Sequence, residues 1–524
     1  MTHRMIGRRD VLKLAAGSGL ALLSGVGQRA WAGKPLGGYP FSLGVASGDP
    51  SPDGFVLWTR LAPIPLESHG GMPMTEVAVN WEVAEDDRFT RIVQTGTAAA
   101  RPELGHSVHV ELTGLRPGWR YWYRFHANGE VSSFGTARTS IPVGVAIDRV
   151  RIGVAGCQHY EEGWYTAYRH LGEVSELDAI FHYGDYIYEG RARDGEKAKD
   201  SVRAHLGDEI YSLDDYRRRY AQYKLDPDLQ SAHAAAPFLV SYDDHEVDNN
   251  WYGECDQDGT AAEIFLLRRV AAMQAWYEHM PVRRAQYPSA AGLKMYRRFD
   301  YGDLLRAHVL DTRQYRSGGL LPANRPPKGC RTKSSGPVTM LGTQQETWLS
   351  AGLSSSARWN LLAQQVMVMP FTYPSSREAG RVNVDSWSGY AAARERLVAE
   401  IVKRDLKNVV IATGDVHQHH AGVVPVREGA LEGPAAATEF VCTSISSGGD
   451  GAQLSKSWKD TPADNPHCQL YDARRGYQVF DIGRDEWRTD VWTLDKVSER
   501  GGQATPTTSF VVERGRVALN RVSS

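Results

Sequence analysis

Beyond its first 32 residues, this chain of 524 has no apolar stretch approaching the roughly 20 residues that a membrane-spanning helix needs. Charge of one sign is missing too. The 60 Lys and Arg are matched by 62 Asp and Glu, leaving a formal charge of −2 with no basic or acidic tail. Nothing in this balance points to a polyanion-binding surface, and no stable nucleic-acid complex is expected. Cysteine is sparse: Cys157, Cys255, Cys330, Cys442 and Cys468, with no CxxC pair to build a zinc module. Five is odd, so at least one thiol has a task outside a disulfide framework. Internal repeats and low-complexity tracts are absent. Aromatic residues are abundant, with 14 Trp and 24 Tyr, enough for large cores in two or more domains.

The N-terminus reads as a processing segment. Gly7-Arg8-Arg9-Asp10-Val11-Leu12-Lys13 carries twin arginines, a loosely apolar run follows to Val26, and Ala30-Trp31-Ala32 forms a small-x-small cleavage pattern. This is the pattern of a twin-arginine (Tat) signal cleaved after Ala32. It predicts handling by the Tat export machinery, a periplasmic or extracellular location and no membrane anchor after cleavage.

Residues 38–143 read as all-β. Strands are expected at Phe55–Leu61, Glu76–Ala84, Ser107–Leu112 and Arg120–Ala127, separated by Gly/Pro turns. The run Leu112-Thr113-Gly114-Leu115-Arg116-Pro117-Gly118-Trp119-Arg120-Tyr121 resembles the fibronectin type III corner, whose Tyr hydrogen-bonds back to the preceding turn. A fibronectin type III or immunoglobulin-like β-sandwich of about 100 residues follows, with Trp58 and Trp122 in its core. Ser140–Gly144 is the expected linker. Residues 148–500 alternate strand and helix, with helices expected at Trp164–Glu176, Ser212–Lys224, 261–279, 344–352 and Tyr390–Arg404. Capping boxes are expected at Thr260 and Thr343, and Ser212 opens its helix with an Asp three residues on. Further strands are expected at Leu304–Leu310, Asn360–Met369 and Glu439–Thr443, and a hairpin at Tyr477–Ile482 and Thr489–Asp495. Residues 501–524 read as a C-terminal β extension with a hairpin of Phe510–Glu513 and Arg516–Leu519. Irregular stretches at 190–210, 316–342 and 446–472 are candidate rim loops.

The chemistry gathers at four short apolar runs. Asn408–Thr413 is too short for a helix and rich in β-branched residues, as a buried parallel strand is. It ends in Gly414-Asp415-Val416-His417. Arg151–Gly156 runs into Cys157, Asp178–Gly184 into Asp185 and Tyr188, and Pro237–Tyr242 into Asp243-Asp244-His245-Glu246 and Asn249-Asn250. In α/β sheets, ligands bind beyond the carboxyl ends of such strands. A thiolate favours a transition metal, and a phenolate suits a hard, highly charged ion such as Fe(III). Asp244, Asn249 and Asp415 offer oxygens of the kind calcium or magnesium takes, and His417 adds a nitrogen. A mixed cluster of this kind suits phosphoryl hydrolysis, with His245 placed as general acid. Arg313 could clamp a phosphate bidentately or pair with Asp311; the residues leave both open.

Together these segments resemble the calcineurin-like metallophosphoesterases, and more closely their alkaline phosphatase D (PhoD-like) family. The resemblance extends over nearly the whole chain after residue 32, through Phe41–Pro50, Val56–Arg60, Cys157-Gln158, Gly184–Glu189, Asp243–Asn250 and Gly414–His417. It implies a four-layer αββα core and an exported phosphomonoesterase and phosphodiesterase. It also implies Fe(III) held by Cys157, Asp185 and Tyr188, calcium beside it, and Asn249, Asp415 and His417 completing the cluster. Asp244 stands where the wider superfamily has an Asn ligand. Ser388 departs from the family's Asp-x-Trp-Asp-Gly-Tyr in Asp385–Tyr390. Candidate substrates are phosphomonoesters, nucleotides, phospholipid headgroups and teichoic acids.

Other histidines read as bystanders: His182 as a core residue, His159, His205, His233 and His279 as surface or packing residues, His419 and His420 as residues of either the site or a solvated loop. Two other functions compete. A purple acid phosphatase-like enzyme would also pair a fibronectin-like domain with a metal-bound Tyr, but uses a more His-rich ligand set. A secreted adhesion or sugar-binding module with structural calcium would have no use for a strand-end thiol and phenol.

Overall fold

The computed structural model describes residues 36–289, 292–318, 338–373, 383–454 and 458–522. The twin-arginine segment lies outside the described residues. Two sheets packed face to face dominate the molecule. The seven-stranded sheet runs Arg297–Tyr301, Leu305–Val309, Trp359–Ala363, Val409–Thr413, Ala435–Val441, His419–Pro425 and Cys468–Asp472. At its centre Val409–Thr413 lies parallel to both neighbours, and all five of its residues are buried. Val410 and Ala412 face the other sheet, while Val409 and Ile411 face the outer helices. Burial on both faces is why this strand reads as an unbroken apolar run.

The facing sheet holds Arg149–Ala155, Ala179–His182 and Phe238–Val240 side by side and parallel. Ile152, Val154, Phe480 and Trp487 meet Leu361, Val410 and Phe440 in the inter-sheet core. Thr166–Gly172, Leu213–Lys224, Pro227–Ala235 and Ala262–His279 cover the outer face of this sheet. Gly342–Gly352 and Ala391–Lys403 cover the other sheet through Leu349, Leu397, Val398 and Ile401. The result is the expected four-layer αββα core.

The β-sandwich is also present, but one of its two sheets is not its own. Ile92–Ala100, Val77–Ala84 and Arg120–Ala127, with two short strands, pack on Val45–Ser51, Gly54–Arg60 and Ser107–Glu111. Those last three strands continue the sheet of Arg149–Ala155, because Val45–Ser51 pairs with Phe238–Val240 at Gly48 and Phe238. A Cβ on Gly48 would lie 2.2 Å from the Pro281 carbonyl oxygen, so the junction requires glycine there. Tyr121, Tyr123 and Phe125 fill the sandwich, and the Tyr121 hydroxyl accepts the Arg116 N–H at 2.9 Å, which is the expected corner. Trp122, expected in the core, is only half-buried on the opposite face of its strand. Trp58 is fully buried, but against Leu43, Ala46, Ala62 and Ala221, with its indole N–H on the Glu278 carbonyl. It joins the sandwich to the helices of the four-layer core instead of filling the sandwich.

Other departures have local causes. The strand expected at Asn360–Met369 ends at Ala363, and further on Glu439 takes the N–H groups of Val368 and Met369. The helix at Trp164–Glu176 shortens to Thr166–Gly172. The Ser212–Asp215 capping box forms. The one at Thr260 does not, because Asp256 accepts the Gly259 and Thr260 N–H groups. The helix expected at 344–352 starts at Gly342, whose N–H goes to the Thr339 hydroxyl, and Thr343 caps nothing. At the C-terminus Ala504–Glu513 pairs along Glu486–Leu494, so a boundary at residue 500 would divide one sheet. Its return strand is Asn520–Val522, not Arg516–Leu519.

Candidate active site

Each candidate ligand sits on the turn that leaves a parallel strand. Four of them hold left-handed backbone: Cys157 (φ 52°), Asp185 (φ 54°), Asp415 (φ 68°) and His417 (φ 56°). A non-glycine residue there costs about 1 kcal/mol or more and persists only where the surroundings enforce it. One enforcing element is Tyr183, whose ring lies between the two rims. A Cβ on Gly156 would come within 2.3 Å of that ring, and one on Gly414 within 2.1 Å. The Tyr183 hydroxyl then donates to the Thr443 carbonyl at 2.6 Å. The glycines before Cys157 and Asp415 thus let one ring key the sheets together at the site.

Two groups of donors result. Cys157, Asp185 and His417 place ligand atoms within 4.8 Å of one another. The Tyr188 hydroxyl lies in the same group, donating to Asp185 Oδ2 at 2.9 Å, 3.2 Å from His417 Nε2 and 2.7 Å from Ser447 Oγ. On the other side Asp243, Asp244 and Asp415 converge within the same limit, and Asp185, Asp244 and His245 link the groups. Buried Asp185 Oδ1 and Asp243 Oδ2 have no hydrogen-bond partner. A buried polar atom left unpaired costs about 1–3 kcal/mol, so these two oxygens call for a cation. Thiol, phenol and imidazole on one side suit a transition ion, and the carboxylates opposite suit a hard one.

The electrostatics agree. Burial, reinforced by Asp244, pushes the Asp185 carboxyl up to about 7 against the pull of His245. Burial raises Asp243 to about 8 despite Arg313, helped by Asp244 and Asp185. Burial and the same acids hold Asp415, Cys157 and Tyr188 well above their ordinary ranges. Asp244 is the exception. Arg313, His245 and the Asn250 N–H outweigh burial and keep it anionic. Without cations the cluster stores protons that bound metal would release. His417 is pushed down to about 3 by burial and Arg475, leaving it neutral, the ligating form. His245 goes the other way. Burial would lower it, but Glu189, Asp244 and Asp185 raise it well above the usual histidine range.

Seven of the nine residues singled out in the sequence stand in these groups: Cys157, Asp185, Tyr188, Asp244, His245, Asp415 and His417. Asn249 does not bring its carboxamide there. Its side chain donates to Gln257 and its backbone N–H to Glu189; the following residue, Asn250, gives its N–H to Asp244. Arg313 is fully buried and shared by Asp243, by both oxygens of Asp385 and by Asp415. Asp311 accepts only its backbone N–H. The guanidinium is neither an open phosphate clamp nor the partner of Asp311, but the counter-charge inside the acid cluster.

Sequence reasoning passed over Asp243, Glu189, Asp385 and Ser447. Asp243 stood in the strand-end run beside Asp244, the one signal available for it. His205, expected at the surface or in packing, is buried with Glu161 and His159 as a third group of potential ligands. The Tyr223 hydroxyl accepts the N–H groups of Tyr160 and Tyr188, so its own proton goes to His205 Nε2 at 2.9 Å. That network orients the Tyr188 backbone. His182 is a core residue as expected, and His419 and His420 are buried in a strand away from both groups.

Comparison with known proteins accords with this centre. Residues 152–491 match the family model described as PhoD-like phosphatase, and residues 28–141 match that of the PhoD-like phosphatase N-terminal domain. The chain belongs to the PhoD-like phosphatase family. It is 44% identical to alkaline phosphatase D of Bacillus subtilis (strain 168) over 489 residues, covering 93% of this chain and 83% of that protein. A solved structure of PhoD superposes with a TM-score of 0.86 at 42% identity, covering 93% of each chain. As a PhoD-like phosphatase the chain is a hydrolase of phosphoric esters. The purple acid phosphatase PPD1 of yellow lupin shares the fold, with a TM-score of 0.55 at 14% identity over 90% of this chain and 74% of that one. Among the described residues of this PhoD-like chain, no helix is long and apolar enough to cross a membrane.

Proposed function

We propose that the chain is an exported phosphomonoesterase and phosphodiesterase whose centre takes Fe(III) on the Cys157, Asp185, Tyr188 and His417 side and calcium on the Asp243, Asp244 and Asp415 side. The observation that carries this reading is the convergence of a thiol, a phenol and an imidazole on one carboxylate, Asp185, with two unpaired buried carboxylate oxygens beside them. Such ions, when bound, would polarise phosphoryl oxygens and lower the pKa of a bound water.

The chain's own residues would do the rest. His245 donates its Nδ1–H to Glu189 at 2.7 Å, which leaves Nε2 as the nitrogen that can present a proton. Held protonated by that pairing, it would deliver the proton to the leaving oxygen as general acid. Its ring lies 4.2 Å from that of Tyr188, which fixes its plane. Arg313 would position Asp243, Asp385 and Asp415 and not touch the phosphate. The twin-arginine motif supports export to the periplasm or beyond, where phosphorylated headgroups, nucleotides or teichoic acids would be the substrates. The test is hydrolysis of p-nitrophenyl phosphate and bis-p-nitrophenyl phosphate by protein purified without chelator, with elemental analysis. Turnover of both, lost with chelator and regained with iron and calcium, is expected. No turnover of either ester after refilling would sink the reading.

A further inference from the structure

Ser447 belongs to none of the donor groups, yet its hydroxyl is closer to the Tyr188 oxygen than any candidate ligand is. Ser447 Oγ lies 2.7 Å from the Tyr188 hydroxyl, against 2.9 Å for Asp185 Oδ2 and 3.2 Å for His417 Nε2. It comes from the far sheet. Past Ala435–Val441 the chain crosses to the rim after Arg149–Ala155, where the Ile445 N–H meets the Gly156 carbonyl at 3.0 Å. Arg475 pins this crossing through Ser444 Oγ, the Ser447 carbonyl and, at 3.0 Å, the His417 carbonyl.

The hydroxyl's partners fix what it can do. Its oxygen accepts the His159 N–H at 3.0 Å, and its proton goes to the Cys157 carbonyl at 2.7 Å. That carbonyl also receives the Ser447 N–H at 3.3 Å, so it keeps a partner if the hydroxyl turns away. A phenolate at Tyr188 would need a donor. Asp185 only accepts, and His417 would spend its ring nitrogen as a ligand. We infer that Ser447 is a positioning residue that turns its O–H from the Cys157 carbonyl to the Tyr188 phenolate when a metal is bound, and so tunes that phenolate as a ligand. A hydrogen bond to the ionised form stabilises it and weakens its donation to the metal. Partners behind a ligand set its orientation and basicity in this way. The inference rests on the ferric reading above.

The test is the visible spectrum of the full, iron-loaded protein. Wild type should show a phenolate-to-iron charge-transfer band that Tyr188→Phe abolishes. Ser447→Ala, with iron content unchanged, should move the band to longer wavelength, because an unsolvated phenolate donates more strongly. Ser447→Thr, which keeps the hydroxyl, should restore it. An iron-loaded S447A protein with the wild-type band overturns the inference and leaves the ferric reading standing. A wild-type protein without iron or band overturns both. Should S447A fail to hold iron, resonance Raman of wild type decides: the phenolate C–O stretch must shift in D2O, and its failure to shift overturns the proposal.

Discussion

The two sides of the centre meet at Asp185 and Asp244 but differ in how much of their charge is compensated from within. On the Cys157 side the Tyr188 hydroxyl gives its proton to Asp185 and lies against His417 and Ser447, with no cation among these groups. On the Asp243 side the chain supplies an internal cation, Arg313, held by Asp243, Asp385 and Asp415. Both sides hold protons that a metal would displace, Cys157, Tyr188 and Asp185 on the first and Asp243 and Asp415 on the second. The second is partly compensated before any metal arrives. Asp185 links them, so its loss should erase the difference. Asp185→Asn is expected to cost activity more than the roughly 10–100-fold typical of outer-shell partners and to lower iron and calcium together. Steady-state kinetics with elemental analysis checks this; loss of one metal alone would mean that Asp185 serves one side.

Arg313 separates the sides most sharply in stability. Arg313→Ala leaves buried carboxylates without their counter-charge, a change that costs about 3–5 kcal/mol when one partner of a buried pair is removed. Urea unfolding in chelator should show that loss, and added calcium should recover much of it. The same variant should leave the position of any Tyr188 band unchanged, because the guanidinium touches only the acid side.

The pH dependence of the metal-free protein draws on both sides. Asp243 rises to about 8 and Asp185 to about 7 in the fold, from about 4 in an unfolded chain. The folded state then binds more protons than the unfolded state between those limits, so this cluster's contribution to stability is full below about pH 4 and is lost as pH rises through 7–8. In chelator, Tm should therefore fall from pH 5 to 8 more steeply for wild type than for Asp243→Asn. With calcium bound the slope should flatten. Equal slopes for wild type and variant would place the proton uptake elsewhere.

What the sequence made legible follows from where each residue gets its position. Cys157, Asp185, Asp415 and His417 could be found because strand ends fix them locally, and a short apolar run announces each strand. Asp243 was passed over for Asp244 because the period of two that sorts strand residues stops at the strand end, where both acids enter the cluster. Glu189, Asp385 and Ser447 act through partners far away in the chain, to which no local pattern points. The same limit hid the merger of sandwich and catalytic sheet. It depends on Gly48 meeting Phe238 beneath Pro281, and a lone glycine in a strand does not say what it must approach.

The smallest expected effect tests a reading that residue type and family resemblance suggested. Asn249 was expected to ligate through its carboxamide, but that group lies against Gln257 at 2.8 Å, and only its backbone N–H reaches the site, through Glu189. A side chain that reaches the centre only by way of its own backbone can be cut back without disturbing it. Asn249→Ala should change kcat/KM by less than about threefold, because its carboxamide bonds Gln257 and touches none of the donor groups. Calcium content should stay at the wild-type value. Loss of one calcium, with a fall in activity of the size a ligand commands, would return Asn249 to the cluster. It would also mean that metal binding swings the 249–250 turn inward, because the Asn250 N–H already rests on Asp244 at 2.8 Å and its backbone is held left-handed at φ 54°.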